Sequence, residues 1–226
     1  MEIWSMCRNS GSVRSSLPRA GDDRMTVRQP DREAPADGFV RHGAVPDILA
    51  AIHDPAVQLA LWQRPRPAAL DWLDRLNWDE IADIDAAIDG PDYHASLHLL
   101  LRDAGYPRTL PADHLMDEIA ALASRFAGVM ACQKLRLRLE VIETDACRKF
   151  HMDYVQTRLL MPLVGPGTQW IDRSSGENPP VHQLAAGEVA IFKGRLLVDQ
   201  PAILHRSPPI AGSGQRRLLL VLDPAD

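Results

Sequence analysis

The chain has 226 residues, 46% of them hydrophobic and 24% charged, with a formal net charge of −5. That length suits one large domain with a sizeable core, and the composition is that of a globular protein. The acidic balance offers no basic surplus for nucleic acid, no apolar run reaches the roughly 18 residues of a membrane span, and three cysteines (Cys7, Cys132, Cys147) are too few for a disulfide framework. A reducing cytoplasm is the expected setting, with neither nucleic acid nor membrane as partner.

Residues 1–40 are rich in Ser, Arg, Asp, Pro and Gly and read as a disordered or loosely attached segment. They lack the apolar stretch of a signal peptide, and Met25 is a second candidate start. Residues 41–226 read as a single domain. Its first part, 41–133, carries apolar residues at three- and four-residue spacing and is expected to be helical. "VPDILAAIHDPAVQLALWQR" suggests two helices, with Pro55 opening the second. "RPAALDWLDRLN" and "NWDEIADIDAAID" continue the period, with Asn77 as a cap. "DYHASLHLLLRDAG" stops at Gly105. "PADHLMDEIAALASRFAGVMACQ" is the longest helix, with Pro111 and Asp113 near its start. Trp62, Trp72 and Trp78 fall at helical spacing and read as core.

At residue 134 the period changes to two. "KLRLRLEVIE" alternates Leu135, Leu137 and Leu139 with Arg136, Arg138 and Glu140, a strand with one wet face. Further strands are expected at 153–164, 168–172, 188–193, 201–206 and 216–222, separated by Gly, Pro and Ser turns. Short strands punctuated in this way suggest an antiparallel barrel or sandwich. The fold class expected is therefore α+β.

The chemistry-bearing stretch is "CRKFHMDYVQTRLLMPLVGPGTQW", residues 147–170. Residues i and i+2 of a strand share a face, so His151 and Asp153 converge. His205, in "QPAILHRSPP", is a third donor at the end of another strand. Two histidines and a carboxylate on a β scaffold form the facial triad of non-haem Fe(II) oxygenases, which leaves coordination positions open for co-substrate and dioxygen. An oxygenase that uses 2-oxoglutarate also needs a cation for the distal carboxylate, and Arg binds carboxylate in bidentate fashion. "GQRRLLLVLD" supplies Arg216 and Arg217. Adjacent strand residues face opposite ways, so at most one points inward; Arg217, at the head of the apolar run, is favoured over Arg216.

His151-Met152-Asp153, His205 and the downstream Arg resemble the HxD…H…R pattern of the Fe(II)/2-oxoglutarate-dependent dioxygenases. "FHMDYVQTRLLMPLV" is similar to the prolyl-hydroxylase-like members, in which HxD precedes an Arg and an apolar strand; Arg158 matches that Arg. "CRKFHMDYVQTRLL", "GPGTQW", "VAIFKG" and "HRSPPI" resemble, over roughly residues 45–224, a bacterial family of unknown function. The dioxygenase resemblance covers residues 134–223. It implies a double-stranded β-helix of the cupin-like, jelly-roll type over 134–226, packed against the N-terminal helices. It also implies Fe(II) held by His151, Asp153 and His205, 2-oxoglutarate held by Arg217 or Arg216, and hydroxylation of an unactivated C–H bond in a small-molecule or peptide substrate. Two features depart from the pattern. The pocket hydroxyl usual in that family has no clear counterpart, although Tyr154 and Thr157 lie near, and Lys193 in "AIFKG" is a second cation of open direction.

Other functions are weighed against this one. Cys147 could complete a closed tetrahedral zinc site with the same three ligands, as in a non-redox metal-homeostasis protein. The barrel could instead be degenerate and bind a partner protein. His94 and His98 share a helix face, but "HASLH" lacks the Glu of a zinc-protease motif and reads as a surface pair. His182 reads as a loop residue and "GSGQ" as a hairpin turn. No GxSxG elbow supports covalent hydrolysis.

Overall fold

The structure is a computed structural model that describes residues 38–90, 93–145 and 147–225. Among them the chain runs through β1 (Val40–Gly43), a 3-10 segment (Pro46–His53), β2 (Leu59–Trp62), two more 3-10 segments (Ala68–Arg75 and Trp78–Glu80) and β3 (Ile84–Asp89). Helices α1 (Tyr93–Asp103) and α2 (Leu110–Met130) follow. The remainder is β4 (Lys134–Ile142), β5 (Thr157–Val164), β6 (Gln169–Asp172), β7 (His182–Gln183), β8 (Val189–Lys193), β9 (Ile203–Arg206) and β10 (Arg217–Pro224).

Seven strands form one sheet in the order β1-β2-β8-β5-β10-β4-β3, antiparallel except for the β1–β2 pair. Three form a second sheet, β7-β6-β9. Alternation along the large sheet divides its side chains between two cores. Leu218, Leu220 and Leu222 of β10 join Leu159, Met161 and Leu163 of β5 and Leu135, Leu137 and Leu139 of β4 in a cluster with Leu97 of α1 and Leu115, Ile119 and Phe126 of α2. The intervening residues, Leu219 and Val221 of β10, Leu160 of β5 and Phe192 of β8, pack with Trp170, Leu184 and Ile203 of the small-sheet side. Each fully buried Leu contributes about 1.5–3 kcal/mol. The result is three layers: helices, large sheet, small sheet. The polar residues in phase with Leu219 and Val221, namely Arg217 and Asp223, are thereby turned toward the small sheet, as is Arg158, in phase with Leu160.

The expected helical first part is corrected in three places. Residues 59–62 form a strand because β2 fills a slot between β1 and β8. Residues 84–89 form β3 along the edge of β4, with Ile84 and Ile88 buried and Asp85 and Asp89 exposed. The segments at 46–53 and 68–75 are 3-10 rather than α-helical. The first part is thus woven into the same sheet as the second. α1 ends just before Gly105, which takes φ +89. The six strands expected after residue 134 are present within a few residues of their expected ends, and β7 adds one more. Gly38 and Phe39 are described and Val40 already lies in β1; residues 1–37 of the N-terminal segment, with Cys7 and Met25, lie outside the described residues. No helix among the described residues is long and apolar enough to cross a membrane.

Candidate metal centre

His151 and His205 are joined through the backbone. The segment before β5 runs antiparallel beside β9, and the two histidines exchange N–H···O=C bonds of 2.9 Å in each direction. A directly opposed pair projects both side chains to one side, and the imidazole centroids are 4.7 Å apart. Asp153, two residues on, follows to the same place. Its carboxylate lies 3.6 Å from Nε2 of His151 (through Oδ1) and 3.1 Å from Nε2 of His205 (through Oδ2). The three donor atoms fall within 4.8 Å of one another. Phe192 of β8 supports the His205 ring at 4.9 Å. Gly194, directly after β8, permits the close approach of the Asp153 loop: a Cβ there would stand 2.1 Å from the carbonyl oxygen of Val155 and 2.9 Å from that of Asp153.

Each donor is prepared differently. Nδ1 of His151 stands 2.8 Å from the Lys149 carbonyl oxygen, which as an acceptor places the proton on Nδ1 and leaves the Nε2 lone pair free. The Asp153 side chain raises the His151 pKa, against burial. Burial lowers the pKa of His205, against the pull of Asp153, and so favours the neutral imidazole that a metal requires. Burial alone would raise the pKa of Asp153, but His151, His205 and Arg158 together hold it well below the usual carboxylate range. Nη1 of Arg158 lies 2.6 Å from Asp153 Oδ2, a close ion pair rather than an aligned hydrogen bond. The other edge of the same guanidinium forks onto Asp223, with Nε–Oδ1 at 2.7 Å and Nη2–Oδ2 at 2.8 Å.

A cleft of about 500 Å³ opens over these residues, lined by the three donors, Arg158 and, farther along, Leu160, Leu219, Val221 and Thr168. Thr168 stands two residues before Trp170, whose strand partner is His205. Beside it is Arg217, only 1% exposed. Nη2 of Arg217 donates to the Thr168 hydroxyl at 3.1 Å, and among the described residues its Nε and Nη1 have no hydrogen-bond partner. Burial pushes this guanidinium down to about 10, against a weaker pull from Glu140. Arg216 faces outward and pairs with Asp79 at 2.7 Å and Glu143 at 2.5 Å. Between the two candidate arginines, the inward one is Arg217.

The other residues singled out in the sequence lie elsewhere. Lys193 turns to the 3-10 segment, where Nζ donates to the Asp54 carbonyl oxygen at 2.6 Å. Tyr154 is exposed, and Thr157 is buried in phase with Leu159, on the helix side of the sheet. Of the hydroxyl residues that line the cleft, Thr144, Thr168 and Ser207, the one bonded to Arg217 is Thr168, which the sequence reading missed although it directly follows the "GPG" turn. Cys147 is exposed and lines the cleft, but it is not part of the three-residue donor cluster. His94 meets Asp117 of α2 at 3.2 Å and is exposed, as is His98. His182 belongs to β7 rather than a loop, and its ring stacks on Trp170 at 4.2 Å. Trp62, Trp72 and Trp78 are partly buried against the helix-side core.

The donor set suits a divalent metal of the iron type: two imidazoles and one carboxylate converge, no thiolate among the described residues joins them, and a cleft leaves one side open. Residues 43–223 match a family described as "Protein of unknown function (DUF1826)". The chain belongs to this family. The match spans nearly all of the region, 45–224, over which the sequence motifs carry the likeness to a family of unknown function. No curated protein matches the chain. Among solved structures, it is similar to the Arabidopsis thaliana dioxygenase for auxin oxidation in a 2-oxoglutarate complex (11% identity, TM-score 0.40), covering 63% of this chain and 61% of that one. It is also similar to a Pseudomonas putida prolyl-4-hydroxylase (14% identity, TM-score 0.44; 79% of this chain and 100% of that one). A third is an oxidoreductase of the 2OG-Fe(II) oxygenase family from Burkholderia pseudomallei (13% identity, TM-score 0.43; 87% and 95%).

Proposed function

We propose that this DUF1826 protein is an Fe(II)- and 2-oxoglutarate-dependent oxygenase that hydroxylates a small-molecule or peptide substrate, on a β scaffold of the double-stranded β-helix type. The observation that carries the reading is Arg217. A guanidinium buried with two unpartnered nitrogens is costly unless an anion completes it. It stands behind Thr168, to which it donates, and Thr168 lines a cleft that also holds two imidazoles and a carboxylate. A dicarboxylate acid is the ligand that satisfies both groups.

In this reading His151, Asp153 and His205 hold Fe(II) through Nε2, a carboxylate oxygen and Nε2. Arg217 and the Thr168 hydroxyl take the distal carboxylate of 2-oxoglutarate. Leu160, Leu219 and Val221 wall the space between and exclude water, which strengthens both ionic contacts. Once bound, metal and co-substrate supply the oxidation, with dioxygen consumed, succinate and carbon dioxide released and one oxygen inserted into a C–H bond. A reducing cytoplasm suits iron that must stay ferrous.

Calorimetry of 2-oxoglutarate binding to the metal-loaded protein tests this. Truncating one partner of a buried charge pair costs about 2–5 kcal/mol, so Arg217→Met is expected to weaken binding by about 30-fold or more. Equal affinity in wild type and Arg217→Met would remove the co-substrate from the account.

A further inference from the structure

We propose that Asp223 and Arg158 form a positioning relay for the metal ligand Asp153: Asp223 holds the Arg158 guanidinium in place, and Arg158 occupies one oxygen of Asp153, leaving the other for the metal. The inference rests on the metal reading of His151, Asp153 and His205.

The relay follows from strand register. Leu222 of β10 pairs with Leu159 of β5, so Asp223 and Arg158 are the next residues opposite one another, on the face turned toward the cleft. Their contact is the two-pronged one in which Arg exceeds Lys, with both oxygens of Asp223 engaged at 2.7 and 2.8 Å. That fork uses one edge of the guanidinium and aims the remaining Nη1 at Asp153, 2.6 Å from Oδ2. The side chains of Arg158, Asp153 and Asp223 are only 17%, 17% and 8% exposed, so water screens these charges poorly. Arg138 flanks the far side, with Nη2 3.6 Å from Asp223 Oδ2 and Nη1 3.3 Å from Glu140.

The arrangement controls a competition. Arg158 and a metal cation both seek the Asp153 carboxylate. As long as Asp223 holds the fork, Arg158 can reach only Oδ2. If the charge of Asp223 is lost, Arg158 is free to turn its fork onto Asp153 and take both oxygens. Among the described residues no hydrogen bond or ion pair joins Asp223 to the three donors, and Arg158 is the side chain that links them.

The test is titration of the metal-free protein with Co(II), read by visible absorption, in wild type, Asp223→Asn and Arg158→Lys. Loss of such supporting contacts typically weakens metal binding by about 10–100-fold. Asp223→Asn is expected to fall in that range and to change the Co(II) band shape, which a residue of purely structural role would leave alone. Arg158→Lys keeps the charge but not the fork and is expected to change the band and weaken binding several-fold; it decides the matter if Asp223→Asn does not fold. Wild-type affinity and band shape in a folded variant would overturn the relay. If wild type binds no Co(II), the metal reading itself falls and the relay with it, an outcome distinct from a wild-type protein that binds and variants that match it.

Discussion

His151 and His205 bind one another through the backbone before either meets a metal: each N–H donates to the other's carbonyl oxygen at 2.9 Å. The pairing fixes two donors by sheet geometry rather than by side-chain packing, and Asp153 follows by the two-residue period of extended chain. Removing one imidazole therefore leaves the scaffold standing. His205→Ala keeps both backbone bonds, and is expected to abolish stoichiometric metal binding while circular dichroism remains that of the folded protein. Loss of the fold in this variant would assign His205 a structural role.

Gly194 controls the approach of the Asp153 loop. Gly194→Ala places a methyl 2.1 Å from the Val155 carbonyl oxygen, so backbone has to move. Overpacking of this kind costs about 1–3 kcal/mol. Urea denaturation is expected to show that loss, and the same variant should bind metal more weakly because Asp153 moves with Val155. Unchanged stability and affinity together would show that the loop is not held there.

Arg217 trades stability for ligand. Burial lowers its pKa from the ordinary arginine range to about 10, so between those values the unfolded chain binds the proton that the folded chain has released. Stability therefore rises with pH in that window, and the penalty is fully present at neutral pH. Arg217→Met is expected to raise the stability of the ligand-free protein at pH 7 by about 1–2 kcal/mol, with the gap to wild type closing as pH passes about 10. Denaturation at both pH values measures it. Arg216→Ala, which removes only solvent-screened pairs with Asp79 and Glu143, should leave stability nearly unchanged and 2-oxoglutarate binding intact.

Cys147 separates iron from zinc chemistry. It lines the cleft but stands apart from the donor cluster. Cys147→Ala is expected to leave Fe(II) and Co(II) affinity within a factor of about two, against the roughly tenfold or greater loss typical of removing even a supporting contact. A large loss would bring the thiolate into the first coordination sphere and move the reading to a closed zinc site.

The β half was legible because its strands alternate or are bounded by Gly and Pro. The first part was not, and "IADIDAAID" shows why. Ile81, Ile84 and Ile88 fit a helical period, while Ile84, Ala86 and Ile88 fit a strand; the edge of β4 decides between them. The clustering of His151, Asp153 and His205 was readable from spacing. Asp223 and Thr168 were not, since β10 is apolar on both faces and hides its phase. Only once Leu219 and Val221 are known to face the cleft do Arg217 and Asp223 become a pair of charges at the two ends of one row.

The most direct test of the central claim is an anaerobic titration of metal-free protein with Fe(II) and then 2-oxoglutarate, followed by visible absorption. The account predicts a weak charge-transfer band that appears only when both are present. The band should be absent in His151→Ala because the metal is not held. It should be absent in Arg217→Met because the co-substrate is not held, although Fe(II) still binds. Stoichiometric Fe(II) binding by the wild-type protein with no band at any concentration of 2-oxoglutarate would contradict it.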